Sequence, residues 1–209
     1  MFEVKNIDYD ITVDRAQKND ISNENPNLAN KFLEAKRKWE NETITTTKQN
    51  DDRAFTLGYP KAIYTQLPAR DGEAHGTIER SNRWPNDSFF TNWNSVNDSI
   101  TWNVDVLEEG NFQVEMYYTC PPKDLGSVVE LSFGDSKITA KIIEAFDSHL
   151  IGKEHDRVLR MESYVKEFKP LNLGIIALPK GKGTLTLKAL EMPNKAVADF
   201  RLLQFKKVD

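Results

Sequence analysis

The side chains with chemistry to offer gather in two irregular stretches. Leu67–Asn97 carries Arg70, Asp71, His75, Arg80, Trp84, Asn92 and Trp93; Glu144–Glu162 carries His149, His155, Arg157 and Arg160, so all three histidines lie in these two segments. Long segments without a hydrophobic period inside a compact domain often carry function. Guanidinium forks match a tetrahedral oxyanion bidentately, and a protonated histidine adds a donor, so Arg70, Arg80, His75, Arg157 and Arg160 have the types needed to hold a sulfate. The competing use is surface pairing with Asp71, Glu79, Glu154 and Asp156, each of which stands near a basic residue. Trp84, Trp93, Phe89 and Phe90 have the apolar faces that cover the C–H side of a pyranose, while Asn92, Asp71 and the arginines would bond its hydroxyls. Large aromatics are equally the ordinary filling of a β-sandwich core. His149, Glu154, His155 and Asp156 are metal-ligand types, but their spacing fits no zinc pattern, and no metal residue is assigned. Glu108 and Glu109 fall in a turn and read as solvated acids rather than a glycosidase pair.

The elements that must position these residues follow from periodicity. Asn25-Pro26 marks a helix start, and Leu28, Phe32, Ala35 and Trp39 make one apolar stripe ending near Trp39. With a short strand, Phe2–Lys5, this front end cannot bury its own apolar face. Asn41–Asp52 is polar, Thr-rich and unpatterned, a linker. Beyond it the period becomes two: Ile100, Trp102, Val104 and Val106; then Phe112, Val114, Met116 and Tyr118; then Val129, Leu131 and Phe133; then Ile138, Ala140 and Ile142. Leu171–Leu178, then Leu185, Leu187 and Ala189, and finally Phe200, Leu202 and Gln204 against Arg201, Leu203 and Phe205 complete the series. About seven or more short strands with turn signals between them predict an antiparallel β-sandwich of jelly-roll type, preceded by a strand and one α-helix.

Composition excludes several classes. Lys+Arg 28 against Asp+Glu 32 leaves a net charge of −4, which argues against a nucleic-acid partner. Apolar runs such as Ile175–Leu178 are too short to span a membrane. No charged-then-apolar leader follows Met1, so no secretory signal is expected here. Cys120 is the single cysteine, which excludes an internal disulfide framework and a Cys-based zinc site.

From Phe55 to Val208 the chain resembles the C-terminal module of bacterial arylsulfatase-like proteins of the N-acetylgalactosamine-6-sulfatase type. The matching strings are Thr65-Gln66-Leu67-Pro68-Ala69-Arg70-Asp71-Gly72, Ser88-Phe89-Phe90-Thr91-Asn92-Trp93, Ile100-Thr101-Trp102, Tyr117-Tyr118-Thr119-Cys120-Pro121, Glu130-Leu131-Ser132-Phe133 and Asp199-Phe200-Arg201-Leu202-Leu203. Asp14–Asp20, Ile21–Pro26 and the helix are similar to the last strand and helix of a sulfatase catalytic domain. The resemblance implies residues 1–42 as that terminal piece, 43–54 as linker, and 55–209 as a galactose-binding-like, carbohydrate-binding module. It implies a non-catalytic role, with a sulfated or amino-sugar polysaccharide and a sulfatase catalytic domain as partners and an exported parent, periplasmic or extracellular. The alternative role is structural: a module that completes the sulfatase domain without binding glycan itself. Such modules often carry a structural calcium, for which no residues are assigned here. The sulfatase nucleophile motif, Cys/Ser-x-Pro-x-Arg, is absent: Cys120-Pro121-Pro122-Lys123-Asp124 has Asp where arginine is required, and Cys120 reads as a small buried strand-end residue.

Overall fold

Alternating burial along Ser99–Val106 and Gly110–Thr119 sets the architecture: every second side chain enters a shared core. The computed structural model of the chain describes residues 7–44, 53–162 and 164–208. It divides into two compact units, Met1–Asp52 and Arg53–Asp209. The expected strand Phe2–Lys5 lies outside the described residues, as does most of the expected linker.

In the first unit the helix α1 spans Pro26–Ile44, five residues past the end that the Trp39 stripe suggests. The polar residues after Trp39 continue it through Lys36–Glu40 and Lys38–Glu42 pairs at i,i+4 spacing. The Asn25 carbonyl accepts from the Ala29 N–H at 3.0 Å, and its side-chain amide turns back to the Ile21 carbonyl. Leu28, Phe32 and Trp39 are exposed.

The second unit is an antiparallel sandwich with one parallel pair. Its strands are β1 (Phe55–Leu57), β2 (Tyr64–Pro68), β3 (Glu73–His75), β4 (Glu79–Arg80), β5 (Phe90–Thr91), β6 (Ser99–Val106), β7 (Gly110–Thr119), β8 (Val128–Phe133), β9 (Ser136–Lys141), β10 (Lys169–Leu178), β11 (Gly181–Glu191) and β12 (Asp199–Val208). One sheet runs β1-β6-β11-β8-β9, with β3 also on β6; the other runs β10-β7-β12-β5-β4, with β2 also on β12. The fold is therefore mainly β, a jelly-roll-type sandwich with one helix ahead of it.

Between the sheets lie Trp102, Val104, Val106, Leu185 and Leu187 from one side and Phe112, Val114, Met116, Phe200, Leu203 and Phe205 from the other. Each such Leu or Phe contributes about 1.5–3 kcal/mol on leaving water. The Trp102 ring meets Phe200 edge-on, with its Nε1 bonded to the Pro68 carbonyl at 3.3 Å. Gly72 passes so close to Trp102 that a Cβ there would stand 2.9 Å from the indole.

Strand β12 departs from the simple alternation of its sequence. Phe200 is buried, but the next buried positions are Leu203 and Phe205 rather than Leu202 and Gln204. A bulge between Phe200 and Leu202 in the pairing with β7 reverses the phase. Leu202 and Gln204 thereby point to the outer face.

Candidate functional site

The outer face of the second sheet carries the side chains that the bulge turned outward. Pairing places Gln66, Gln204, Glu115 and Asn172 side by side across β2, β12, β7 and β10. The Gln66 amide donates to Gln204 Oε1 at 3.0 Å, and the Gln204 amide donates to Glu115 Oε2 at 3.3 Å. A second row holds Tyr64, Lys206, Gln113 and Ile175, and a third holds Pro68, Leu202, Tyr117 and Pro170. Three interstrand gaps make each row about 14 Å long. Tyr64, Gln113, Glu115, Gln204 and Lys206 line a shallow depression of about 160 Å³.

Chemically this is a polar row between a partly apolar row and an exposed aromatic. Tyr64 is 54% exposed, so its ring is available for contact. Each carboxamide of the row keeps a second N–H and further acceptor capacity, and Glu115 keeps its other oxygen. Hydroxyl-rich ligands need that mixture of donors, acceptors and apolar ring faces.

None of these face residues was singled out from sequence. The signal was there in the outward half of the β7 alternation, where Gln113, Glu115 and Tyr117 separate the core positions. On β12 the bulge hid it.

The sequence-derived candidates fare unevenly. Trp93 is 1% exposed and belongs to the core, which corrects its assignment as a ligand contact. Its neighbours Asn94 and Ser95 donate their N–H groups to Asp98. The half-buried Arg80 is committed in part: its fork donates to the carbonyls of Ala69 and Gly72, both at 3.2 Å, and its guanidinium lies 5.2 Å from the Phe90 ring centre. It clamps the turn after β2. Arg70 pairs with the adjacent Asp71 at 3.7 Å, and His75 Nε2 shares a 2.8 Å hydrogen bond with the Thr101 hydroxyl. Asn92 adopts φ 57° and donates to Glu79. Phe89 and Phe90 are buried.

In the other irregular stretch, Arg160 pairs with Asp156 at 3.2 Å and covers the Tyr164 ring. His155 faces Glu154 at 3.6 Å, and His149 and Arg157 are exposed. Arg70, Arg80 and Arg160 thus each stand on a separate partner. Trp84 is 42% exposed, with the Arg83 guanidinium 4.6 Å from its ring centre. The two irregular stretches do meet, because the Asn82 amide donates to the Met161 carbonyl at 3.0 Å. Cys120 is fully buried at the end of β7, paired in a bridge with Phe146. Among the described residues no three His, Cys, Asp or Glu side chains are grouped to hold a metal ion. No helix among them is long and apolar enough to cross a membrane.

No family model matches the chain, and no curated protein matches it. Solved structures do. The GH26-CBM35 β-(1,4)-mannanase of Podospora anserina is similar with TM-score 0.45 and 11% identity, over 70% of this chain and 28% of that one. The mosquito-larvicidal Cry4Aa toxin of Bacillus thuringiensis has TM-score 0.52 and 13% identity, over 76% of this chain and 25% of that one. The carbohydrate binding module CBM6cm-2 from Cellvibrio mixtus lichenase 5A, solved with cellotriose, has TM-score 0.47 and 12% identity, over 69% of this chain and 98% of that one. The chain therefore spans less than a third of the mannanase and of the toxin. At these identities the likeness is one of fold.

Proposed function

We propose that residues 55–209 form a non-catalytic glycan-binding module whose ligand lies on the outer face of the second sheet. The observation that carries this reading is the hydrogen-bonded row Gln66–Gln204–Glu115, open to solvent beside the exposed ring of Tyr64. A polysaccharide strand laid across the row would exchange hydroxyls with the amides and the carboxylate and rest C–H faces on Tyr64 and Tyr117. The finer part of the proposal comes from the sequence strings quoted above: a sulfated or amino-sugar polysaccharide, and a parent sulfatase that is periplasmic or extracellular. Binding would raise the effective substrate concentration for the attached enzyme. The exposed Trp84, with Arg83, Arg157 and Arg160 on the neighbouring loops, is a further contact region for a bound chain.

A structural role, in which the sandwich only completes a catalytic domain, is favoured by the burial of Trp93 and the backbone clamp of Arg80. Native affinity gels separate the two readings. Sulfated polysaccharides are run beside their desulfated forms, with Tyr64→Ala and Trp84→Ala as variants. Retardation that Tyr64→Ala abolishes supports the sheet-face site. Mobility unchanged in every gel supports the structural role, and retardation by all polyanions that salt removes means charge attraction alone.

A further inference from the structure

Where β7 ends and β12 begins, the sandwich holds a cavity of about 220 Å³ that the sheet face does not include. Thr119 on its wall lies about 13 Å along the strand from Glu115. Ligand pockets usually measure ~300–1,000 Å³, so this one admits a single ring or a substituent rather than an oligosaccharide. Asp124, Asp147 and Asp199 line it together with the apolar Pro121, Val197 and Ala198.

The three carboxylates are not equivalent. Asp199 is neutralised by Lys166, whose Nζ lies 2.5 Å from Asp199 Oδ2 and 2.7 Å from the Thr119 hydroxyl. That lysine side chain is only 8% exposed and sits over the rings of Phe89 and Phe168, so its charge is committed. Asp124 is 6% exposed and lines the cavity, yet among the described residues its carboxylate has no hydrogen bond or ion pair. Its oxygens are not sealed from solvent, so a ligand that enters the cavity must bring N–H or O–H donors in place of the water it displaces. Lys123, exposed on the rim, is the one other cation that lines it.

The neighbouring thiol reports the local field. Burial, followed by the charges of Asp124, Asp147 and Asp199, pushes the pKa of Cys120 up to about 11. With Asp199 offset by Lys166, the carboxylates of Asp124 and Asp147 against the one rim cation Lys123 leave the cavity acidic, so it favours a cation over an anion. Among the described residues the carboxylates are not grouped as a metal site requires. A primary ammonium, with three N–H donors, can be held by two carboxylates that reach the same nitrogen.

We propose that this cavity binds the protonated amino group of an amino sugar, Asp124 and Asp147 accepting its N–H donors while the ring packs on Pro121, Val197 and Ala198. The choice of a sugar as the carrier of the amine rests on the glycan-binding reading; the preference for an ammonium does not. It also separates the two sites by charge, since a sulfate would be repelled here.

Titration calorimetry and amide NMR of the full chain with glucosamine, N-acetylglucosamine and glucose test this, because acetylation removes the charge and two N–H donors while adding bulk, and glucose lacks the amine without that bulk. Glucosamine should bind and shift amides around Thr119, Asp124 and Ala198, with the other two at least about tenfold weaker. Asp124→Asn, checked for folding by its thermal transition, should lose about tenfold or more, and the exposed Asp147→Asn gives a second loss if Asp124→Asn fails to fold. Tyr64→Ala should leave glucosamine binding in place, so failure here and failure of the sheet-face site are told apart. Equal binding of N-acetylglucosamine, equal saturation by a simple alkylammonium, or unchanged affinity in both aspartate variants would overturn the proposal.

Discussion

The Asp98 carboxylate accepts the Thr77 hydroxyl at 2.6 Å and the Thr77 N–H at 3.0 Å, joining both ends of the loop that contains Trp84 and Trp93. The Asn94 and Ser95 N–H groups fill its remaining capacity. This buried acid, rather than any hydrophobic period, organises the irregular stretch.

Replacing Asp98 by Ala should therefore cost about 2–3 kcal/mol and lower the melting temperature, since four donors lose their acceptor. Burial alone would raise the Asp98 pKa, but the bonds from Thr77, Asn94 and Ser95 outweigh it and hold the carboxyl below its ordinary range. The folded form thus binds a proton less readily than the unfolded chain. Its contribution is complete above the unfolded pKa of ~3.9 and disappears as pH falls through the lower folded value. Wild-type melting temperature should fall more steeply than that of Asp98→Asn across this acid range. Gly76→Ala should be destabilising as well, because φ there is 82° and a Cβ would stand 2.0 Å from Asp98 Oδ1.

Trp93 and Trp84, both possible platform residues from sequence, should behave oppositely. Trp93→Ala opens a core cavity and should cost about 3–5 kcal/mol, whereas Trp84→Ala should change stability by no more than about 1 kcal/mol. Acrylamide should quench Trp84 and Trp39 and spare Trp93 and Trp102. A Trp93 signal as quenchable as that of Trp84 would contradict the packing described.

On the sheet face, Tyr64→Ala and Gln204→Ala should abolish or strongly reduce glycan retardation with little change in melting temperature. Both side chains lie outside the core. Loss of binding together with loss of folding would return the face to a structural role.

Cys120 should react slowly with an aromatic disulfide reagent at pH 8 in the folded protein and rapidly once denatured. Its thiol is buried and its pKa lies at about 11, so little thiolate forms. Fast reaction of the native protein would mean that the end of β7 opens readily.

Much of the scaffold was legible without coordinates. The alternations at Ile100–Val106, Phe112–Tyr118 and Leu185–Ala189 became β6, β7 and β11 because a period of two fits only a strand with one face in a core. The Asn25-Pro26 start of the helix is equally local, set by the fixed φ of proline. The short strands β1 to β5 were not legible, being too brief to show a period.

The residues themselves therefore determined the fold class, the main strands and the identity of most core side chains, since these depend on neighbours along the chain. Tertiary structure alone decided which polar groups meet. Gln66 reaches Gln204 across 138 positions and Gln204 reaches Glu115 across 89, and strand register is a property of two strands together. The bulge after Phe200 turned Gln204 outward against its own alternation. In the loops, where no period constrains side-chain direction, Trp93 entered the core beside a backbone tied to Asp98, and the Ala69 and Gly72 carbonyls took two N–H groups of Arg80.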